Sequence, residues 1–311
     1  MLPSRDLMHR RRRLRQVVFS DPPHRLDDDS WPRRAIEGVI VDASPHVIVL
    51  ARADGSEVRL PMSATTSIWY DGKAELAELR PGRRAVVRPT DAGGLAAERI
   101  WVDVARVTGV ITGRVGNRFD VDAGPHRGQL TVTVPDDALR RVQVRHPRLE
   151  PGALFDVIGI RRGREILGLR PLRSSPQPAP HAVAPPPRRT TPWVLRGTAT
   201  WFEDPDGGRG AAYPALDPHG HGGGCGAGPG VRLPYLSLGS ELWVRNECTG
   251  QEARVPIIEC GCMAARFCDR CVRCGTSPRG RVVELSRSAF VDLGGDLDAG
   301  CFNVTVRVDR P

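Results

Sequence analysis

One short phrase of this sequence occurs twice, and the repeat constrains how the middle of the chain can fold. Ile36-Glu37-Gly38-Val39-Ile40 returns as Val107-Thr108-Gly109-Val110-Ile111. Leu79-Arg80-Pro81-Gly82, ahead of Ala85-Val86-Val87, returns as Leu149-Glu150-Pro151-Gly152, ahead of Phe155-Asp156-Val157-Ile158. The two landmarks keep their order and are displaced by 70 or 71 residues, as a tandem duplication leaves them. Within each unit, apolar residues come in short alternating bursts, as in Val47-Ile48-Val49-Leu50, Glu57-Val58-Arg59-Leu60 and Gln129-Leu130-Thr131-Val132-Thr133-Val134. Period-2 alternation is the signature of strands with one face inward. A unit of about 65 residues with five or six short strands closes most economically as a small barrel, because closure leaves no bare edge.

The remaining chain divides around this repeat. Residues 1–34 combine an Arg run, Pro and Asp27-Asp28-Asp29 without apolar periodicity, and read as a disordered basic arm. The two barrel units occupy 35–104 and 105–171. Residues 172–192 are one-third Pro and read as an extended, semi-rigid linker. Residues 193–311 form the last domain. With 34 Gly, 28 Pro and short strand-like bursts, the chain is expected to be all-β. Its apolar runs fall far short of the roughly 18–20 residues of a membrane-spanning helix, so no transmembrane segment is expected. The repeat units resemble the small OB-like barrels found as accessory modules of bacterial envelope proteins.

The net charge is +9, but residues 193–311 carry 13 basic and 14 acidic residues, so the surplus lies elsewhere. A positive chain is drawn to acidic polymers. OB-like barrels that bind nucleic acid do so with exposed aromatic platforms. Residues 35–171 offer only Trp69, Tyr70, Trp101, Phe119 and Phe155, with no repeated platform, so nucleic acid is not an expected partner.

All eight cysteines, Cys225, Cys248, Cys260, Cys262, Cys268, Cys271, Cys274 and Cys301, fall in the last domain. An even count in one compact domain reads as a disulfide framework and an oxidising compartment, with the connectivity left open. The N-terminus argues the other way. Arg10-Arg11-Arg12-Arg13-Leu14-Arg15 has the charge that opens an export signal, but the apolar stretch that should follow is missing. Three expectations therefore stand: an extracellular or cell-wall-associated protein whose true start differs from the given Met, one exported by an unconventional route, and a cytoplasmic one.

Four stretches of the last domain occur in the order of a known family. Gly197-Thr198-Ala199-Thr200-Trp201-Phe202 resembles the opening strand of rare lipoprotein A-like domains. Gly222-Gly223-Gly224-Cys225-Gly226-Ala227-Gly228 resembles a segment of expansins. Leu238-Gly239-Ser240-Glu241-Leu242-Trp243-Val244 and Gly280-Arg281-Val282-Val283-Glu284-Leu285-Ser286, continuing to Ala289-Phe290 and Leu293-Gly294, complete the set. The resemblance to the rare lipoprotein A, barwin and expansin group implies a six-stranded double-psi β-barrel that binds, and in some members cleaves, an extended polysaccharide. It places the family's key acid at Glu259, at the end of Val255-Pro256-Ile257-Ile258. A carboxyl there has the setting in which desolvation raises a pKa and makes a general acid. Hydrolysis needs a second carboxyl, for which Glu203 and Asp204 are the candidates. Glu284 reads as structural, near a helix opened by Ser286 as N-cap. The family's His before the Leu-Pro turn is missing in Leu233-Pro234-Tyr235. Sugar-stacking candidates are Trp201, Tyr235 and Trp243.

A metal reading competes for the cysteines. Cys268, Cys271 and Cys274 have zinc-like spacing, with Cys260-Gly261-Cys262 upstream and His219 and His221 as further donors. The leading expectation is a disulfide-stapled barrel, without cofactor, that binds and remodels peptidoglycan or a related β-linked glycan without hydrolysing it. The alternatives are a lytic transglycosylase or glycoside hydrolase using Glu259, and a cytosolic zinc-bearing interaction module.

Overall fold

A computed structural model of the chain describes residues 35–90, 96–176, 193–204, 208–214, 236–261, 263–274 and 278–308. The basic arm, most of the linker, Cys225, Cys262, Tyr235, His219 and His221 lie outside these residues. The described residues form twenty strands and two α-helices, so the chain is all-β as its alternation implies. None of the described helices is long and apolar enough to cross a membrane.

The duplication is visible in the wiring. The first unit contains β1 (Ile36–Ala43), β2 (Val47–Ala51), β3 (Glu57–Pro61), β4 (Ser67–Trp69), β5 (Lys73–Ala74), β6 (Arg84–Pro89) and β7 (Ala97–Val102). The second contains β8 (Val104–Val115), β9 (Arg118–Asp122), β10 (Gln129–Thr133), helix α1 (Asp136–Arg145), β11 (Leu154–Arg162) and β12 (Glu165–Pro171). In the second unit the order β10-β12-β11-β8-β9 closes through β9–β10, giving a five-stranded barrel with one parallel pair, β10/β12. The first unit repeats that path, β4 running parallel to β7 as β10 does to β12, but its third strand is interrupted. Pro61 ends β3, and the Ser63–Thr66 turn, where the Ser63 N–H donates to Thr66 Oγ1 at 2.9 Å, intervenes before β4. The sheet therefore runs β3-β2-β1-β6-β7-β4-β5 without closing through hydrogen bonds.

The repeated glycines have matching jobs. A Cβ on Gly38 would lie 2.6 Å from the Ala51 carbonyl oxygen, and one on Gly109 would lie 2.2 Å from that of Asp122. Both allow the first strand of a unit to cross closely over the second. Gly82 and Gly152 close the two Leu-x-Pro-Gly turns at φ of +85° and +92°, a region that disfavours side chains.

The linker reading is corrected at its start. Strand β13 (Ser174–Pro176) pairs with a strand of the last domain, so these residues are part of that domain's sheet. The last domain continues with β14 (Trp193–Phe202), β15 (Ala211–Tyr213), β16 (Glu241–Asn246), β17 (Glu252–Cys260), β18 (Phe267–Asp269), β19 (Arg279–Ser286), helix α2 (Arg287–Asp292) and β20 (Cys301–Val308). The ring β14-β19-β15-β17-β16-β20 returns to β14, a closed six-stranded barrel with two parallel pairs, β14/β19 and β15/β17. As expected, Ser286 caps α2, its side-chain oxygen accepting from the Ala289 N–H.

The three units are not beads on a spacer. One apolar cluster joins Trp69, Val86 and Trp101 of the first, Ile158, Ile160 and Leu169 of the second, and the core of the six-stranded barrel. Trp101 is fully buried and donates its indole N–H to Asp298 at 2.8 Å. The passage from the first unit to the second is a single residue, Asp103.

Candidate functional site

The six-stranded barrel gathers two carboxylates by strand register. Ala212 of β15 sits opposite Glu259 of β17 in a parallel pair and opposite Glu284 of β19 in an antiparallel one. Residues opposite one another on neighbouring strands face the same side of a sheet, so Glu259 and Glu284 flank Ala212 together. Phe202 lies on the same face: Thr200 is opposite Glu284, and Phe202 is two residues further along β14. Trp201, between them, faces the other way.

That alternation corrects the stacking assignment. Trp201 has no exposed surface and donates its indole N–H to the Leu297 carbonyl at 2.8 Å, so it is a core residue and offers no face to a sugar. Trp243 is partly exposed, but Arg307 and Arg254 lie over its ring at 5.3 and 5.8 Å. The aromatic beside the carboxylates is Phe202, itself only 2% exposed.

Into this group enters a residue from another barrel. The β9–β10 loop is a tight turn in which the Gly128 N–H donates to the Gly124 carbonyl at 2.8 Å and both glycines have positive φ. It carries Arg127 at its tip. Arg127 Nε donates to Glu259 at 2.9 Å, Nη2 lies 2.8 Å from Glu284, and the guanidinium lies over the Phe202 ring at 4.5 Å. The surrounding crevice, with Pro125, His126 and Gly261 among its walls, has no free volume left for a water-sized molecule.

Behind Glu284 the charges continue inward. Arg281, with no exposed surface, pairs with Asp156 at 2.6 Å, Asp269 at 2.8 Å and Glu284 at 3.1 Å. Asp156, from β11, also pairs with Arg106, which donates to the Gly300 carbonyl at 2.7 Å. Ion pairs so deeply buried persist only when nearly every charge is matched. Three arginines here face Asp156, Asp269, Glu259 and Glu284. Burial pushes the Glu284 carboxyl up, but the charges of Arg127, Arg281 and Arg106 outweigh it and hold it below the usual glutamate value. The same balance, with Arg106 and Arg281 opposing burial, holds Asp156 well below its usual range.

The expected catalytic acids are therefore not assembled as the sequence suggested. Glu203 pairs with Arg161 of β11 at 2.8 Å. Asp204 is buried, accepts from the Gly208 N–H, and lines a different cleft of about 140 Å³ with Glu37, Trp101 and Arg287. Glu259 is not a lone acid in apolar surroundings; a guanidinium bridges it to Glu284. In this arrangement both carboxylates face the Arg127 guanidinium rather than open solvent.

The cysteines also depart from expectation. Cys248 is bonded to Cys274, and Cys260 is disulfide-bonded as well. Cys268, Cys271 and Cys301 are free thiols, so complete pairing is not met. The Cys271 Sγ stands 3.5 Å from that of Cys248, and a hydrogen bond from the Cys301 thiol lowers the Cys271 pKa to about 6. The three residues whose sulfurs cluster are Cys248, Cys271 and Cys274; Cys268, expected as a metal ligand, is not among them.

Arg127 is 132 residues from Glu259 in sequence, and nothing in the surrounding Gly124-Pro125-His126-Arg127-Gly128 points to that partner. Phe202 was within reach of the alternation argument, since adjacent strand residues face opposite sides of the sheet. No protein-family model matches the chain, and no curated protein matches it.

Proposed function

We propose that the six-stranded barrel binds a β-linked cell-wall polysaccharide, peptidoglycan or a relative, without cleaving it, and that Phe202, Glu259 and Glu284 form the contact surface. The observation that carries this reading is the way Arg127 occupies that surface. A guanidinium stacked on an aromatic ring, with its N–H groups on two carboxylates, fills the place a pyranose takes when its C–H face lies on a ring and its hydroxyls donate to acids. The resemblance of the domain's four ordered stretches to rare lipoprotein A-like and expansin barrels points to the same ligand class. The disulfide-bonded cysteines suit the oxidising exterior where such a polymer is found.

Binding without cleavage follows from the charges. Glycosidic cleavage needs a carboxyl that delivers a proton to the leaving oxygen. Glu284 is held ionised by arginines and Glu259 is ion-paired. The second barrel acts as an intramolecular competitor: polysaccharide and Arg127 contend for the same acceptors, so apparent affinity is reduced by the fraction of molecules that are closed.

The test is incubation of the purified full chain with peptidoglycan sacculi, following both co-sedimentation and released fragments by mass spectrometry, beside Glu259→Gln and Phe202→Leu. The reading expects co-sedimentation weakened about tenfold in each variant, roughly 1.4 kcal/mol, and no fragments. Fragments released by the native chain and lost in Glu259→Gln would make it an enzyme instead, and anhydro ends would identify lytic chemistry.

A further inference from the structure

Four of the eight cysteines gather around the start of β20, where Cys301 lies opposite Thr200, which is itself opposite Glu284 on its other side. Cys248 follows β16, Cys271 and Cys274 lie in the loop after β18, and Cys301 opens β20. The Sγ atoms of Cys248, Cys271 and Cys274 all lie within 4.8 Å of one another, with Cys248 and Cys271 at 3.5 Å. Cys301 joins them through a hydrogen bond between its thiol and Cys271. We propose that, when the Cys248–Cys274 bridge is reduced, Cys248, Cys271, Cys274 and Cys301 hold one zinc ion as a tetrathiolate site.

The geometry matches the metal. A tetrahedral zinc centre has Zn–S bonds of about 2.3 Å, which sets sulfur–sulfur edges near 3.8 Å. The 3.5 Å Cys248–Cys271 contact is already near that edge; on reduction Cys248 and Cys274 must part to reach it, and Cys301, hydrogen-bonded to Cys271 but outside the 4.8 Å group, must turn inward. Four soft thiolates in a closed, half-buried site select zinc over hard cations. Cys271-Val272-Arg273-Cys274 supplies the two-residue spacing of a zinc knuckle. The backbone N–H groups of Arg273, Cys274 and Asn303 donate to the Cys271 sulfur, the kind of surrounding hydrogen bonds that orient a thiolate ligand. Cys271 is buried, and Cys248, Cys274 and Cys301 pack against the main apolar cluster. Cys268 lies outside the group.

The chemistry balances through a dithiol reductant. The Cys248–Cys274 bond takes up two electrons and two protons from the dithiol, which leaves as its own disulfide. Zinc then displaces the thiol protons as its four sulfur bonds form, with no change in its oxidation state. Bridge and ion are mutually exclusive, so the compartment's redox poise selects between a stapled and a metallated barrel.

The full chain would be reduced with dithiothreitol, loaded with zinc, desalted under nitrogen and assayed by elemental analysis, beside the oxidised chain. The proposal expects one zinc per reduced chain, none held by this group in the oxidised chain, and at least a fivefold loss of bound zinc in Cys301→Ser and Cys271→Ser, with Cys268→Ser unaffected. In case a variant fails to fold, thiol alkylation of the native reduced chain gives an independent reading. Zinc should protect Cys248, Cys271, Cys274 and Cys301 until a chelator is added, while Cys268 reacts throughout. Zinc that is not retained after reduction, or protection that includes Cys268 and omits Cys301, would overturn it.

Discussion

Arg281 faces Asp156, Asp269 and Glu284 from a position with no solvent, and lies over the Phe267 ring at 4.5 Å. Replacing it with Leu leaves carboxylates buried without their cation, which costs about 3–5 kcal/mol when one partner of a buried pair is removed. Urea denaturation of Arg281→Leu should show a loss of that size; a loss below about 1 kcal/mol would mean the site relaxes or admits water freely. Glu259 was singled out by the resemblance to the rare lipoprotein A group, which places that family's key acid at the end of Val255-Pro256-Ile257-Ile258. Its partner was not, because nothing local to Arg127 distinguishes it from the other arginines of an Arg-rich chain. Trp201 was misread for a related reason: composition favours Trp as a sugar platform, but strand register turns it into the core and places its neighbour Phe202 beside the carboxylates.

At the scale of the element, the duplication was the most legible feature. Repeated phrases map onto equivalent strands, and Gly38 and Gly109 occupy equivalent crossings. Gly109→Ala forces a Cβ against the Asp122 carbonyl, so the second barrel should lose about 1–3 kcal/mol, the range for overpacking. A thermal melt unchanged from the native chain would show that β8 and β9 can part without cost. Ser286 caps α2 and also accepts from the Gly210 N–H at 3.2 Å, so Ser286→Ala should cost about 1–2 kcal/mol, toward the upper end of N-cap losses. Ser286→Thr, which keeps the oxygen, should recover most of it in the same melt. The interrupted third strand of the first unit was less legible. Pro61 signals a strand end, but the alternation resumes at Ser67 with no mark of whether the sheet closes. The Pro-rich linker was legible as a composition, yet its first residues pair as β13 because β18 offers them an edge.

At the scale of the whole molecule, the charge network ties the second barrel to the six-stranded one, and no single-domain reading of the sequence reaches it. Glu284 and Asp156 both have folded pKa values below their ordinary 4.5 and 3.8. Depressed acids contribute stability that is fully present above those ordinary values and is lost as pH falls toward the folded ones. The contribution of these two groups should therefore hold from neutral pH down to about 5 and be lost through the acid range below about 4. A melt whose midpoint is flat down to about pH 2 would remove these two groups from the account.

The central claim is that Arg127 covers a polysaccharide-binding surface made by Phe202, Glu259 and Glu284. The most direct measurement is the affinity of the full chain for peptidoglycan sacculi in the native protein, Arg127→Ala and Arg127→Lys, with circular dichroism confirming that each variant is folded. If the second barrel competes with the polymer, Arg127→Ala should bind at least about tenfold more tightly than the native chain, with Arg127→Lys in between. Equal or weaker binding by a folded Arg127→Ala would show that the guanidinium does not mask a glycan site, and that the carboxylate pair serves only to hold the barrels together.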